Sequence, residues 1–154
     1  LNHSETTEFT QQPTNAYQAL VDAQESGVIP FDITFAGFGN LAGLDGNYVE
    51  KSSLKVNYRL GDLGVQLSGL RKGDFYQSSE TRSDGTRYVI PSMTTYNASV
   101  YYWFNVGDNK ARVKLAVQNL EDERAPLADR FYGFFADAHQ DYGRRFYLDV
   151  KVKF

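Results

Sequence analysis

The carboxy-terminal segment Tyr142 to Phe154 (YGRRFYLDVKVKF) constrains this chain most. From Phe146 onward the apolar residues Phe146, Leu148, Val150, Val152 and Phe154 alternate with Tyr147, Asp149, Lys151 and Lys153. Successive side chains of a strand point to opposite faces, so one face of this strand is apolar and the other carries a carboxylate and two ammonium groups. A strand of that kind suits the edge of a sandwich. It suits still better the closing strand of an outer-membrane barrel, with lipid on one side and a wet lumen on the other.

The same period recurs upstream. Arg112 to Leu120 (RVKLAVQNL) sets Val113, Leu115 and Val117 against Arg112, Lys114, Ala116 and Gln118. Thr94 to Phe104 sorts Tyr96, Ala98, Val100, Tyr102 and Phe104 from Thr95, Asn97, Ser99, Tyr101 and Trp103. Ser53 to Leu60 places Leu54, Val56, Tyr58 and Leu60 opposite Ser53, Lys55, Asn57 and Arg59; Val65 to Tyr76 reads as one further strand whose alternation blurs after Gly69. The links at Gly61–Gly64 and Asn105–Lys110 are short and rich in turn formers. Those at Gln77–Pro91 and Glu121–Asp141 are long, as is the stretch before Lys51, so the short turns fall at one end of the sheet, as in outer-membrane barrels. Aromatics supply 15% of the chain and gather near strand ends: Tyr101, Tyr102, Trp103, Phe104 and Phe154 at the turn end, Phe75, Tyr76, Tyr96, Tyr142, Phe146 and Tyr147 at the other. The expected fold is therefore all-β: an antiparallel up-and-down meander forming the last five to six strands of a transmembrane β-barrel, with a short helix in the amino-terminal third.

Composition removes several classes of function. Cysteine is absent, which excludes disulfides, thiolate catalysis and Cys-ligated metal. A net charge of −3 and a pI of about 5.3 supply no basic field for nucleic acid. Mean hydropathy is −0.48 and the longest apolar runs fall far short of a spanning helix, which leaves barrel strands open because they dilute their apolar face with polar residues. The opening LNHSETTEFTQQP resembles the middle of a protein, with no signal peptide.

The order of motifs carries a family resemblance. PSMTTYNASVYYWF, then RVKLAVQNLEDERAP, then YGRRFYLDVKVKF closely resembles the carboxy-terminal strands of TonB-dependent outer-membrane transporters. In that family a strand ends in an Asn-Leu-x-Asp element, here Asn119, Leu120, Glu121 and Asp122, and after a long loop a Gly-Arg pair, here Gly143 and Arg144, opens the last strand. The resemblance covers roughly Gly46 to Phe154. It implies a barrel of about 22 strands with an amino-terminal plug, importing scarce nutrients of the siderophore, cobalamin or oligosaccharide class. It also implies Phe154 as the signal read by the barrel-assembly machinery. Implied partners are outer-membrane lipid, the remainder of the barrel and its plug, and the energy-coupling inner-membrane complex through a missing amino-terminal part. The implied location is the bacterial outer membrane. This chain supplies five or six strands and no plug, so it is expected not to transport alone. The alternatives are a small soluble β-sandwich or barrel holding an aromatic or apolar ligand, and a non-transporting truncated remnant.

Residues 1–49 read as a strand, helix and long external loop region, and residues 50–154 as barrel strands. Thr14 to Gly27 predicts a short helix, capped by Thr14 or Asn15 and stopped by Gly27; Phe31 to Gly46 predicts a Gly-rich loop with at most a brief strand. External loops around Phe31–Asn47, Gln77–Ile90 and Arg124–Asp141 are expected to capture ligand. Within the last, Arg130, Phe131, Tyr132, Phe134 and Phe135 are the candidate ligand-binding residues, because aromatic platforms beside a cation suit planar polar molecules. The alternative is a loop packing its own aromatics. Asp122–Arg124 and Asp129–Arg130 are expected as local ion pairs, and the acidic residues of the loop lack the spacing of a calcium site. His3 and His139 read as surface residues, and no metal or other cofactor is expected. Gly37, Gly39 and Gly43 lack the Lys-Ser/Thr of a phosphate loop. No hydrolytic triad or carboxylate pair stands out, so an enzyme is not expected.

Overall fold

A computed structural model describes residues 1–30 and 37–153. Phe154, and Phe31–Ala36 of the expected Gly-rich loop, lie outside the described residues. The strands are β1 (Asn2–Glu5), β2 (Thr10–Gln11), β3 (Gly39–Asn40), β4 (Glu50–Leu60), β5 (Leu63–Lys72), β6 (Phe75–Thr81), β7 (Arg87–Ile90), β8 (Met93–Val106), β9 (Asn109–Gln118) and β10 (Arg145–Lys153), with one helix, α1 (Asn15–Glu25). Six strands form an antiparallel meander in the order β1-β4-β5-β8-β9-β10. The sheet does not close: β1 and β10 are its two edges. No described helix is long and apolar enough to cross a membrane, which says nothing of strands.

Register keeps the two-residue period in phase from strand to strand. Val56 faces Leu67, Leu67 faces Ala98, Ala98 faces Val117 and Val117 faces Phe146. The next row runs Tyr58, Val65, Val100, Leu115 and Leu148. A slip of one residue at any strand would turn that strand's apolar set to the other face. One side is thereby a continuous apolar surface, and among the described residues no second layer covers it: Leu148 is 67% exposed and Val150 61%. The other side carries Asn57, Gln66, Ser99, Lys114 and Asp149, with Arg112 donating to Asp149 at 2.6 Å.

The aromatics divide by face. Tyr96 and Phe146 at one end, and Tyr58, Tyr102 and Phe104 at the other, stand on the apolar side. Tyr101, Trp103 and Tyr147 lie on the polar side, and Phe75 is buried off the sheet, so the two end clusters read from sequence are thinner than expected. Tyr101 fills the place of a missing side chain, because a Cβ on its cross-strand neighbour Gly64 would sit 2.1 Å from its ring.

Both short turns are tighter than the sequence indicates. Leu60 pairs with Leu63 and Val106 with Asn109, leaving Gly61-Asp62 and Gly107-Asp108 as two-residue loops. Glycine opens each with φ of 58° and 59°, which a two-residue hairpin needs to match the twist of its strands. All three long connections, residues 6–49, 73–92 and 119–144, emerge at the opposite end.

Two other expectations change. Val65 to Tyr76 is not one strand: the chain leaves the sheet at Gly73, where a Cβ would sit 3.1 Å from the Glu50 carbonyl oxygen. The link 77–91 is not a plain loop but belongs to a separate β6–β7 hairpin. The helix matches closely, with Thr14 at the N-cap and φ of 76° at Gly27, although the Thr14 hydroxyl makes no capping bond.

The pairing of Gly64 with Tyr101 is testable by a double-mutant cycle read as unfolding free energy. Gly64→Ala is expected to cost roughly 1 kcal/mol by displacing the ring. The same change in a Tyr101→Ala background is expected to cost almost nothing. Equal losses in both backgrounds would show that the pair contributes nothing.

Candidate functional site

At the end where the long connections emerge they fold together into a cap. Its core is Phe75, Ile90, Phe135 and Ala138, with Tyr48, Tyr88 and Ala128 packed around it. Phe75 and Phe135 meet edge to face with centroids 5.0 Å apart. The sequence offers these residues no common period, since they come from separate connections and meet only through tertiary packing. Each large apolar side chain so buried contributes about 1.5–3 kcal/mol.

Polar side chains bind the three connections to one another. Gln77 is fully buried: its amide donates to Ser79 Oγ at 2.9 Å and the Asp129 carbonyl at 3.0 Å, and its oxygen accepts the Asp129 N–H at 3.1 Å. Asp45 accepts the N–H of Ser78 at 2.9 Å and its hydroxyl at 2.5 Å. Arg130 reaches Asp45 at 3.7 Å and lies 4.4 Å over the Phe135 ring. The Lys72 ammonium donates to the Ala138 carbonyl.

The motif that carries the family resemblance closes on itself. Asn119 and Asp122 have φ of 55° and 59°, a left-handed conformation that Asn and Asp tolerate well. The Asn119 amide brackets Glu123, accepting its N–H at 2.9 Å and donating to its carbonyl at 2.8 Å. Asp122 then accepts the Arg144 N–H at 2.6 Å. Gly143 has to be glycine there: its φ is 67° and a Cβ would meet Asp122 Oδ1 at 2.9 Å. The two ends of residues 119–144 are thus tied beside the β9–β10 ladder.

The expected local ion pairs are replaced by longer-range ones. Arg124 grips Asp141 through two bonds of 2.7 and 2.5 Å, and Arg130 pairs with Asp45 rather than Asp129. The Arg124 guanidinium and the Ala125 N–H hold the Asp141 carboxyl down to about 2. Among the described residues no three metal-ligating side chains converge.

The five candidate ligand residues separate. Phe135 is buried in the cap core with Arg130 laid on it. Phe131, 95% exposed, meets Tyr132 edge to face at 5.0 Å, and Tyr132 lies 6.3 Å from Phe134. The loop packs part of its own aromatic set and shows the remainder to solvent. Under the cap, on the polar side of the sheet, lies a cavity of about 230 Å³ that sequence reasoning missed. Its walls include Lys72, Thr95, Gln118, Gln140, Tyr142 and Arg145. Four strands and a loop contribute to it, so no local pattern marks it.

Comparison with family models, with curated proteins and with solved structures returned no match.

His139 is not a surface residue. It is 1% exposed, stacks on Phe75 at 5.8 Å, and neither ring nitrogen has a hydrogen-bond partner among the described residues. Burial, and then the nearby Lys72 charge, lower its pKa below the ordinary 6.5. An unfolded imidazole takes a proton more readily than the buried one, so stability is full above the unfolded pKa and falls as pH drops below it. Protection of the amides around residues 135–140, taken relative to their intrinsic exchange rate at each pH, is expected to fall between pH 7.5 and 5.5, and His139→Leu is expected to abolish that fall. Protection factors independent of pH in the parent protein would refute the assignment. Gln77→Leu, which strands two Asp129 backbone groups, is expected to destabilise the cap by about 1–3 kcal/mol, read by the same exchange.

Proposed function

We propose that this chain is the carboxy-terminal β-barrel segment of a TonB-dependent outer-membrane receptor that imports a scarce nutrient. The observation that carries the proposal is the bare apolar surface held in register across β4, β5, β8, β9 and β10. A sheet in water must bury such a face against a second layer. A soluble sandwich would need that layer, and Leu54, Val56, Leu67, Leu115 and Leu148 are all exposed. Lipid supplies the missing layer in the barrel reading, and further strands of the same barrel satisfy the edges at β1 and β10.

Three other features agree. Two-residue turns stand at one end and long connections at the other, the polarity of outer-membrane barrels. Tyr96 and Phe104 on the apolar side are eight residues apart in β8, about 26 Å along a strand, near the height of a barrel's apolar band once strand tilt is allowed for. The bond from Arg144 to Asp122 gives the family's two motifs a shared structural task. In this role the short turns face the periplasm, the cap faces outward, and Phe154 is the assembly signal. The coupling complex is engaged through other parts of the receptor.

The direct test compares substitutions on opposite faces of β9. Leu115→Arg, on the apolar side at mid-strand, is expected to lower stability in a bilayer by about 2–4 kcal/mol, whereas Ala116→Arg on the polar side changes it little. Equal tolerance, or a parent chain that is monodisperse in buffer without detergent, would overturn the barrel assignment. In the gene, the reading frame upstream of Leu1 is expected to encode a plug and further alternating strands.

A further inference from the structure

The cavity beneath the cap is electropositive in a protein that is not. The whole chain carries 19 acidic against 16 basic residues, yet Lys72 and Arg145 line this cavity and no carboxylate does. Neither cation belongs to an ion pair among the described residues. Of the acidic residues that flank the lining in sequence, Asp122 accepts the Arg144 N–H, Asp141 pairs with Arg124 and Asp149 with Arg112, while Asp74, two residues after Lys72, does not line the cavity.

The two cations are positioned differently. Lys72 is half-buried at the end of β5 and spends one N–H on the Ala138 carbonyl, which leaves two of its three donors. Arg145 opens β10, its guanidinium 4.7 Å over the Tyr142 ring and one Nη donating to Gln118 Oε1 at 3.1 Å. That stacking orients a planar fork matched to a carboxylate. Around them stand polar groups with bonding capacity to spare. The Thr95 hydroxyl and the Gln140 amide have no partner among the described residues, and Gln118 uses only its oxygen, which also accepts the Tyr147 hydroxyl at 3.0 Å.

We infer that this cavity binds a hydroxylated carboxylate, with Arg145 and Lys72 holding the carboxylate and Thr95, Gln118 and Gln140 meeting the hydroxyls. At about 230 Å³ the space is smaller than pockets that enclose whole drug-sized ligands, so it takes a single sugar-acid unit or one acidic end of a longer molecule. The inference names the ligand class of the proposed receptor and rests on that reading for its biological setting. The binding itself needs only the cap and the polar side of the sheet.

The test uses the full chain in detergent micelles, with D-glucuronate, D-glucose and inorganic phosphate as probes and calorimetry or ligand-detected NMR as readout. Glucuronate is expected to bind at least tenfold more tightly than either glucose or phosphate. Lys72→Met and Arg145→Gln are each expected to weaken it about tenfold or more, as loss of a charge-assisted bond implies. Lys153→Met, at the turn end of the sheet, is expected to leave it unchanged. Amide exchange of residues 135–140 in each variant confirms that the cap is still folded.

Glucose binding as well as glucuronate would overturn the role of the cations, and phosphate binding as well would overturn the role of the hydroxyls. Glucuronate affinity untouched by Arg145→Gln in a folded variant would place the ligand elsewhere and overturn the site. Failure of the barrel reading shows separately, as a parent chain that needs no detergent.

Discussion

The backbone ladder between β8 and its two neighbours fixes the character of the whole molecule. β8 pairs with β5 on one side and β9 on the other, and both registers keep Ala98, Val100 and Tyr102 level with apolar partners. Because the period is two, correct register at this central strand commits each flanking strand to one orientation. The result is a sheet sorted into an apolar and a polar side, with no second layer on the apolar one among the described residues. Its stability then comes from whatever wets that side, together with hydrogen bonds within the sheet.

That arrangement relocates the hydrophobic core. In a water-soluble domain the core lies between layers, whereas here the largest fully buried side chains among the described residues, Phe75, Ile90, His139 and Gln77, sit in the connections at one end. Two of the four are polar, and they differ in how burial is met. Gln77 satisfies both ends of its amide, so its burial fixes the hairpin against the last long connection. His139 satisfies neither nitrogen among the described residues and is held by stacking on Phe75, so burial disfavours its charged form.

Legibility in the sequence followed the range of the forces involved. Alternation located β4, β8, β9 and β10 because each strand's sorting is local, and Thr14 and Gly27 bounded the helix because capping conformation is local too. A strand was expected within residues 1–49, but the sequence set no bounds for the edge strand β1, since NHSE has no apolar residue to alternate and is held by its ladder to β4. The break after Lys72 was marked by Gly73-Asp74, but its cause, close approach to the Glu50 backbone, is a contact between separate strands. Arg124 illustrates the same limit: proximity in sequence favoured Asp122, while folding of residues 119–144 delivered Asp141 with better geometry. The aromatic run from Phe131 to Phe135 was visible as a cluster, but which ring would turn inward depended on Phe75, far away in the chain.

The cavity owes its walls to the way the last long connection is pinned. A flexible connection of this length would lose conformational entropy on closing over the sheet, and that loss would be charged against any ligand it then bound. Here much of the cost is met before a ligand arrives. Asp122 ties the far end at Arg144, Arg124 and Asp141 cross-link the interior, and Phe135 anchors the middle in the cap core. Tyr142 and Arg145 are therefore presented next to a fixed chain, and Lys72 is held to the cap by the Ala138 carbonyl. The motif Asn119 to Asp122, which from sequence alone resembles a family signature, thus acts as a clamp that sets the roof of the polar cavity.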